Sequence, residues 1–231
     1  LTTLGFHRLA INGLTPTSNQ PLQIDGVTLI CNGEIYNYRQ LYEQLGVTPR
    51  TGSDCEVIIH MYARYGMDHT LKMLDGVFAF VLVDHKSLFV GRDPFGVRPL
   101  YHLKPRDKPG YYVEGFSSTL DCLDGLTSVI NDKEEIEQFP PGTYRRYKFS
   151  DSNRWIFDSS VRYHSIGEMS FPSATTYQDA CRVVRSSLEA AVRKRVTTTE
   201  RPIACLLSGG LDSSLVAALV SRLYEGTLET Y

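Results

Sequence analysis

One seven-residue stretch, Ser208-Gly209-Gly210-Leu211-Asp212-Ser213-Ser214, limits the fold of this chain more than any other. Before it stand Ile203, Ala204, Cys205, Leu206 and Leu207, short and uniformly apolar, as a parallel strand buried on both faces would be. After it Leu215, Val216, Ala217, Ala218, Leu219 and Val220 continue as a helix. A small hydroxyl-rich turn that opens on a helix N-terminus presents free N–H groups and a positive dipole end, a setting for an anion and most naturally for phosphate. Gly209 and Gly210 allow close backbone approach, and Ser208, Ser213 and Ser214 offer hydroxyl donors. The turn holds no lysine, so it is not the G-x-x-x-x-G-K-[ST] phosphate loop. A plain serine-capped Gly-Gly turn is the simpler alternative, and the order strand, turn, helix speaks against it.

The 231 residues suffice for one large domain or two ordinary ones, and 42% hydrophobic residues provide for a core. A net charge of −2 with scattered basic residues is not a nucleic-acid footprint. The small cluster Arg193-Lys194-Arg195 suits the C-terminal end of a helix. The cysteines (Cys31, Cys55, Cys122, Cys181 and Cys205) are odd in number, widely spaced and without a C-x-x-C pair. They fit a reduced, cytoplasmic protein and neither a disulfide framework nor a zinc site. No apolar run is long enough to cross a bilayer, so no membrane partner is expected. The chain opens at Leu1 and closes at Tyr231 inside strand-like sequence, which reads as an internal piece of a longer protein.

Along the chain, residues 4–11 and 22–31 read as strands, the second with an Asp25-Gly26 turn inside it. Residues 38–45 and 55–65 read as helices, Val57, Ile58, Met61, Tyr62 and Tyr65 recurring at helical spacing before a stop at Gly66. Residues 76–84 and 87–92 form an expected hairpin about Asp84-His85-Lys86. Residues 93–96 and 105–110 read as loops, 111–113 as a short strand, and Pro140-Pro141-Gly142 as a turn before a strand over 143–149. Glu134, Glu135 and Glu137 read as a solvated helix face. Residues 150–176 lack a period and read as a connection. Thr176 and Asp179 then resemble a capping box, and Val183, Val184, Leu188, Ala191 and Val192 mark an amphipathic helix to about Val196. The pattern predicts an α+β domain with much antiparallel sheet, then the opening of an α/β domain.

Three islands in the first domain stand out: Phe6-His7-Arg8-Leu9-Ala10-Ile11, Asn32-Gly33-Glu34-Ile35-Tyr36-Asn37 and Thr51-Gly52-Ser53-Asp54. Alone, Asn-Gly-Glu is a turn and Gly-Ser-Asp a helix cap. Together they match the needs of an amino-acid ligand. Arg8 can grip an α-carboxylate, Asp54 with Glu34 can hold an α-ammonium, and the Asn32 amide with the Gly33 N–H can face a developing oxyanion.

These islands, with Gly91-Arg92-Asp93-Pro94-Phe95-Gly96-Val97-Arg98-Pro99-Leu100, Met73-Leu74-Asp75-Gly76-Val77-Phe78-Ala79-Phe80 and the Ser208 turn, resemble the glutamine-hydrolysing asparagine synthetases, in order and through nearly the whole chain. The resemblance implies a four-layer αββα glutaminase domain of the N-terminal-nucleophile type over residues 1–160. It implies a connection over 161–176 and, over 177–231, the start of an α/β adenine-nucleotide α-hydrolase-like ATP pyrophosphatase domain. It implies that Arg8, Leu9, Ala10, Ile11, Asn12, Asn32, Gly33, Glu34 and Asp54 bind L-glutamine, with Asn32 and Gly33 as the oxyanion hole. Leu207, Ser208, Gly209, Gly210, Leu211, Asp212, Ser213 and Ser214 would bind ATP, and Asp212 would meet Mg²⁺. The reaction implied is synthesis of L-asparagine from L-aspartate by way of a β-aspartyl-adenylate, with ammonia taken from glutamine. A homodimer is compatible with it.

Two departures accompany the resemblance. The family's nucleophile is an N-terminal cysteine, where this chain has Leu1, so the chain by itself is expected to be inactive. Cys31 and Cys55 are better read as packing residues. The family's Ser-Glu before a basic residue is also missing: Glu114-Gly115-Phe116-Ser117-Ser118 stands there, with Phe116 at the expected Glu position. The alternatives are another amide-forming enzyme of the same architecture, β-lactam synthetase-like, or a non-catalytic paralogue acting as a partner. Retention of Arg8, Asn32, Gly33 and Asp54 argues against the first.

Overall fold

A computed structural model describes residues 2–104, 114–130, 136–165, 167 and 176–231, the side chains of 127–130 excepted. The chain divides into two units. The first comprises residues 1–8 and 18–166, the second 9–17 and 167–231.

In the first unit β1 (Leu22–Ile24), β2 (Val27–Ile35), β3 (Gly76–Val83), β4 (Ser87–Arg92), β8 (Thr143–Phe149) and β9 (Trp155–Arg162) lie in that order in one six-stranded antiparallel sheet. A second sheet has β5 (Tyr101–Leu103) between β6 (Gly115–Ser117) and β7 (Ile136–Gln138). Period-two alternation sends Leu29, Cys31, Phe78, Phe80 and Leu82 to one face of the large sheet. There they pack with Leu41 of α1 (Tyr38–Leu45) and with Val57, Ile58 and Met61 of α2 (Val57–Met73). Ala79, Val81, Leu88 and Val90 go to the other face and meet Leu100, Phe139 and Phe116 around the small sheet. Beyond the small sheet lies α3 (Leu120–Ile130), in contact with β5 and β6. Helices, sheet, sheet and helix are the four layers that the sequence led us to expect.

Several elements differ from their sequence reading. Residues 4–11 are not a strand: the described backbone there has no ladder partner. The strand expected over 22–31 runs on to Ile35, so Asn32, Gly33 and Glu34 lie within β2 and are not a turn. The helix expected from Cys55 opens with a 3-10 turn over Asp54–Glu56. Gly66, at φ 75° and ψ 171°, breaks α2 without ending it, and a second helical stretch follows to Met73. The expected connection contains β9, an edge strand with Ile156 and Phe157 exposed. Glu137 is on β7, where its carboxylate meets Lys104 at 2.7 Å and Arg145 at 2.9 Å, so it faces no solvent from a helix. Residues 105–113, Glu134 and Glu135 lie outside the described residues. Glu114 and Phe116 are packing residues: His102 Nε2 lies 2.7 Å from Glu114 Oε1, and its ring stacks on Phe116 at 4.6 Å.

The second unit holds α4 (Tyr177–Thr198), β10 (Ala204–Cys205), α5 (Leu211–Leu223) and β11 (Glu229–Thr230), with β10 and β11 parallel. Thr176 Oγ1 accepts the Asp179 N–H at 3.1 Å, the expected cap of α4. Val192, Cys205, Ala217, Leu219 and Val220 form the core of this unit. The apolar run 203–207 is a strand over only two residues and is not buried on both faces, since Leu206 is 82% exposed. Val183 and Val184, expected on the buried stripe of α4, are exposed as well. Residues 9–17 join this unit through the loop after α4: Arg201 donates Nε to the Ala10 carbonyl (3.1 Å), Glu200 N–H to the Ile11 carbonyl (3.3 Å), and Gly13 N–H to Glu200 Oε2 (3.2 Å).

Candidate active site

The acidic and amide residues of the first unit converge at the end of β2. Parity decides their directions. Gln20 donates Nε2 to the Cys31 carbonyl (2.9 Å) and accepts the Cys31 N–H (2.5 Å), so the odd-numbered residues of β2 turn their backbone groups away from β3. Ile35 follows the rule, giving its N–H to Asp54 Oδ2 at 2.7 Å. Gly33 lies between them, and the same parity directs its N–H to that edge. Asn32 and Glu34 carry their side chains on the opposite face from Cys31, the face toward the second sheet. Gly33 is required by its neighbour strand: a Cβ there would lie 2.3 Å from the Val77 carbonyl oxygen and 2.7 Å from Phe78 Cα.

Asp54 is held by a rigid loop. Glu56, fully buried, accepts the Arg50 N–H (2.7 Å), the Thr51 N–H (2.6 Å) and the Thr51 hydroxyl (2.6 Å), and meets His60 at 2.9 Å. Burial would raise the Glu56 carboxyl, but these donors outweigh it and hold it below its ordinary value. Burial pushes the Asp54 carboxyl up to about 6, with the Glu34 charge adding to the effect and the Ile35 N–H opposing it. Cys55, next to Asp54, is buried; its contact with Cys31 and its loss of water hold the thiol well above the ordinary value. Such a thiol is a poor nucleophile, in keeping with a packing role.

The loop after β4 brings a cation to Glu34. Buried Arg92 donates to three carbonyls, of Arg98 (2.8 Å), Phe139 (2.5 Å) and Gly96 (2.8 Å). Buried Asp93 accepts the N–H groups of Phe95, Val97 and Arg98, each at 3.0 Å. With this loop fixed, Arg98 Nη2 lies 3.3 Å from Glu34 Oε1. No role was read for Arg92, Asp93, Arg98 or Glu56 from the sequence. The legible signal was adjacent charges directly after an apolar strand, where burial demands a full set of partners.

Arg8 belongs to the first unit and donates Nη1 to Asn19 Oδ1 at 3.3 Å, whereas Leu9, Ala10, Ile11 and Asn12 belong to the second unit. Asn12 is buried and Leu9 is 88% exposed.

In the second unit Gly209 has φ +81°, and a Cβ on it would meet nothing within 4 Å. Ser208 Oγ and Ser213 Oγ are 3.0 Å apart, and Ser214 N–H bonds the Gly210 carbonyl at 3.1 Å. Gly210, at the N-terminus of α5, makes no side-chain cap hydrogen bond. Ser208, Gly209, Gly210, Leu211 and Asp212 are exposed and Leu207 is 41% exposed. Among the described residues no group of three His, Cys, Asp or Glu side chains could hold a metal ion.

Comparison with known proteins finds two families along the chain. Residues 1–175 match the family described as Glutamine amidotransferase domain, and the chain belongs to that family. Residues 183–231 match the family described as Asparagine synthase. The chain is similar to the glutamine-hydrolyzing asparagine synthetase of Gallus gallus, 37% identical over 239 residues that cover 96% of this chain and 41% of the relative. It is also similar to glutamine-hydrolyzing asparagine synthetase 1 of Arabidopsis thaliana, 39% identical over 97% of this chain and 35% of the relative. It thus spans well under half the length of these relatives. A solved glutamine phosphoribosylpyrophosphate amidotransferase from B. subtilis, complexed with ADP and GMP, aligns over 91% of this chain and 48% of its own, at 21% identity and a TM-score of 0.46.

Proposed function

We propose that the protein carrying this chain makes L-asparagine, with ammonia freed from L-glutamine in the first unit and L-aspartate activated with ATP in the second. The observation that carries the reading is the grouping of Asn32, Gly33, Glu34 and Asp54 about one strand end, with the Gly33 N–H on the strand edge that Gln20 and Asp54 flank. Glutamine would be held by its carboxylate at Arg8, beside Leu9, Ala10, Ile11 and Asn12, and by its ammonium at Asp54 and Glu34. The Asn32 amide and Gly33 N–H would receive the charge that gathers on the amide oxygen during hydrolysis. Free ammonia is mostly protonated at neutral pH, so its release and use within one protein keep it nucleophilic.

The second half of the proposal rests on the open N-terminus of α5. Its N–H groups and the hydroxyls of Ser208, Ser213 and Ser214 would bind the ATP phosphates, with Leu207 toward the base. Mg²⁺ on Asp212 and the phosphates would supply charge neutralisation as pyrophosphate leaves. A cytoplasmic setting and a homodimer belong to the same proposal. Among the described residues no helix is long and apolar enough to cross a membrane.

The test uses the protein at its natural full length. Supplied with glutamine, aspartate, ATP and Mg²⁺, it should release glutamate, pyrophosphate and asparagine. Arg8→Ala should greatly raise the glutamine requirement and leave ammonia-dependent synthesis intact. Release of neither glutamate nor asparagine by the wild type would end the proposal.

A further inference from the structure

The loop after β4 is fixed without help from the Arg98 side chain. Asp93 accepts the Arg98 N–H at 3.0 Å, and Arg92 donates Nε to the Arg98 carbonyl at 2.8 Å. The neighbouring backbone is secured in the same way, Phe95 and Val97 on Asp93 and Gly96 on Arg92. The guanidinium of Arg98 takes part in none of this. Its Nη2 is 3.3 Å from Glu34 Oε1, and its Nε is buried with no acceptor among the described residues. An unspent buried donor is a cost, and Arg92 shows how fully this loop can satisfy a guanidinium when that is the purpose. What the Arg98 side chain does instead is set a positive charge against Glu34, one residue from Gly33 and near the Asp54 carboxyl.

We propose that Arg98 is a positioning residue of the glutamine site, fixing the Glu34 carboxylate for an α-ammonium ligand that Glu34 shares with Asp54. The proposal rests on the glutamine reading given above. The Glu34 charge raises the Asp54 carboxyl, and a cation held on Glu34 offsets that charge. Arg98, from the loop after β4, pairs with the Glu34 carboxylate, and the Glu34 charge acts on Asp54, in the 3-10 turn before α2. Removal of Arg98 therefore weakens ammonium binding most at acid pH. Because the ammonium is remote from the bond that breaks, the loss falls on KM and spares kcat.

The experiment measures glutamate release by the full-length protein against glutamine concentration and pH, for wild type, Arg98→Gln and Arg98→Lys. Arg98→Gln should raise the glutamine KM roughly ten-fold, equivalent to about 1.4 kcal/mol, with kcat nearly unchanged. The acid limb of kcat/KM should move up by about one pH unit. Arg98→Lys should recover most of both, and ammonia-dependent synthesis should stay at its wild-type level in each variant. A wild-type glutamine KM and acid limb in Arg98→Gln would overturn the proposal, as would equal loss of glutamine- and ammonia-dependent synthesis, or a lysine variant no better than the glutamine one. Should Arg98→Gln fail to fold, Glu34→Gln carries the test: it should move the acid limb to lower pH, and an unmoved limb overturns the proposal. A wild type that releases no glutamate overturns the glutamine reading itself, an outcome distinct from an active wild type indifferent to Arg98.

Discussion

Asp54 Oδ2 takes the Ile35 N–H at 2.7 Å, and this single bond joins the acidic side of the site to the strand that bears Asn32 and Gly33. The carboxyl that makes it is buried and lifted to about 6. Ligand binding and stability then pull in opposite directions at this residue. An ammonium beside Asp54 needs the charged form, so the glutamine KM should rise as pH falls through about 6, and Asp54→Asn should lose glutamine binding across the pH range. Steady-state kinetics against pH check both.

The same shift has a consequence for folding. A carboxyl raised from 3.8 to about 6 in the folded state favours that state below the lower value, and the advantage is lost as pH rises through the upper one. At neutral pH ionised Asp54 therefore costs on the order of 3 kcal/mol. Asp54→Asn, which keeps an oxygen for the Ile35 N–H, should raise the urea midpoint at pH 7 and have little effect at pH 4. A lower midpoint at neutral pH would refute this.

Gly33→Ala should fail for a reason unconnected with catalysis. Its methyl group would lie 2.3 Å from the Val77 carbonyl oxygen, on backbone that pairs with β2. Overpacking of this kind costs about 1–3 kcal/mol, and relief by separating the strands loses ladder bonds as well. The expected result is a markedly lower thermal midpoint. Hydrogen exchange should show the first loss of protection along β2 and β3.

Arg92→Lys tests the loop. Lysine keeps the charge but cannot reach the carbonyls of Arg98, Phe139 and Gly96 in one plane. Each buried carbonyl left unpaired costs about 1–3 kcal/mol, so the variant should be destabilised by several kcal/mol, close to Arg92→Ala. Equilibrium denaturation of the two variants side by side gives the comparison.

Asp212→Ala tests the proposed division of chemistry between the two units. Asp212 is exposed in the first turn of α5, where its side chain supports no packing. The substitution should leave folding unchanged and glutamine hydrolysis intact while abolishing ATP-dependent synthesis. Pyrophosphate release at the wild-type rate would exclude a metal role for this carboxylate.

Local signals were legible where one force decided the outcome. The helix Tyr38–Leu45 ended at Gly46, in the left-handed conformation, and the β3–β4 hairpin turned where Asp84, His85 and Lys86 stand between two apolar runs. Residues 4–11 misled because Leu4, Phe6, Leu9 and Ile11 make the stretch apolar enough for a strand, yet they alternate out of register between its two faces, and the chain passes there from one unit to the other. β9 was hidden because an edge strand keeps few buried side chains and so loses its alternation. At the site, Asn32, Gly33, Glu34 and Asp54 were readable as islands of unusual composition. Arg98 was not, because its meaning lies in a contact with Glu34 across 64 residues that only the folded loop creates.

The second unit is assembled from two stretches of chain, 9–17 and 167–231, clipped together at Glu200 and Arg201. No single cut can therefore free either unit intact. Severing the polypeptide near residue 170 parts residues 9–17 from their hydrogen-bond partners Glu200 and Arg201, so dissection of this protein calls for an excision or a circular permutation.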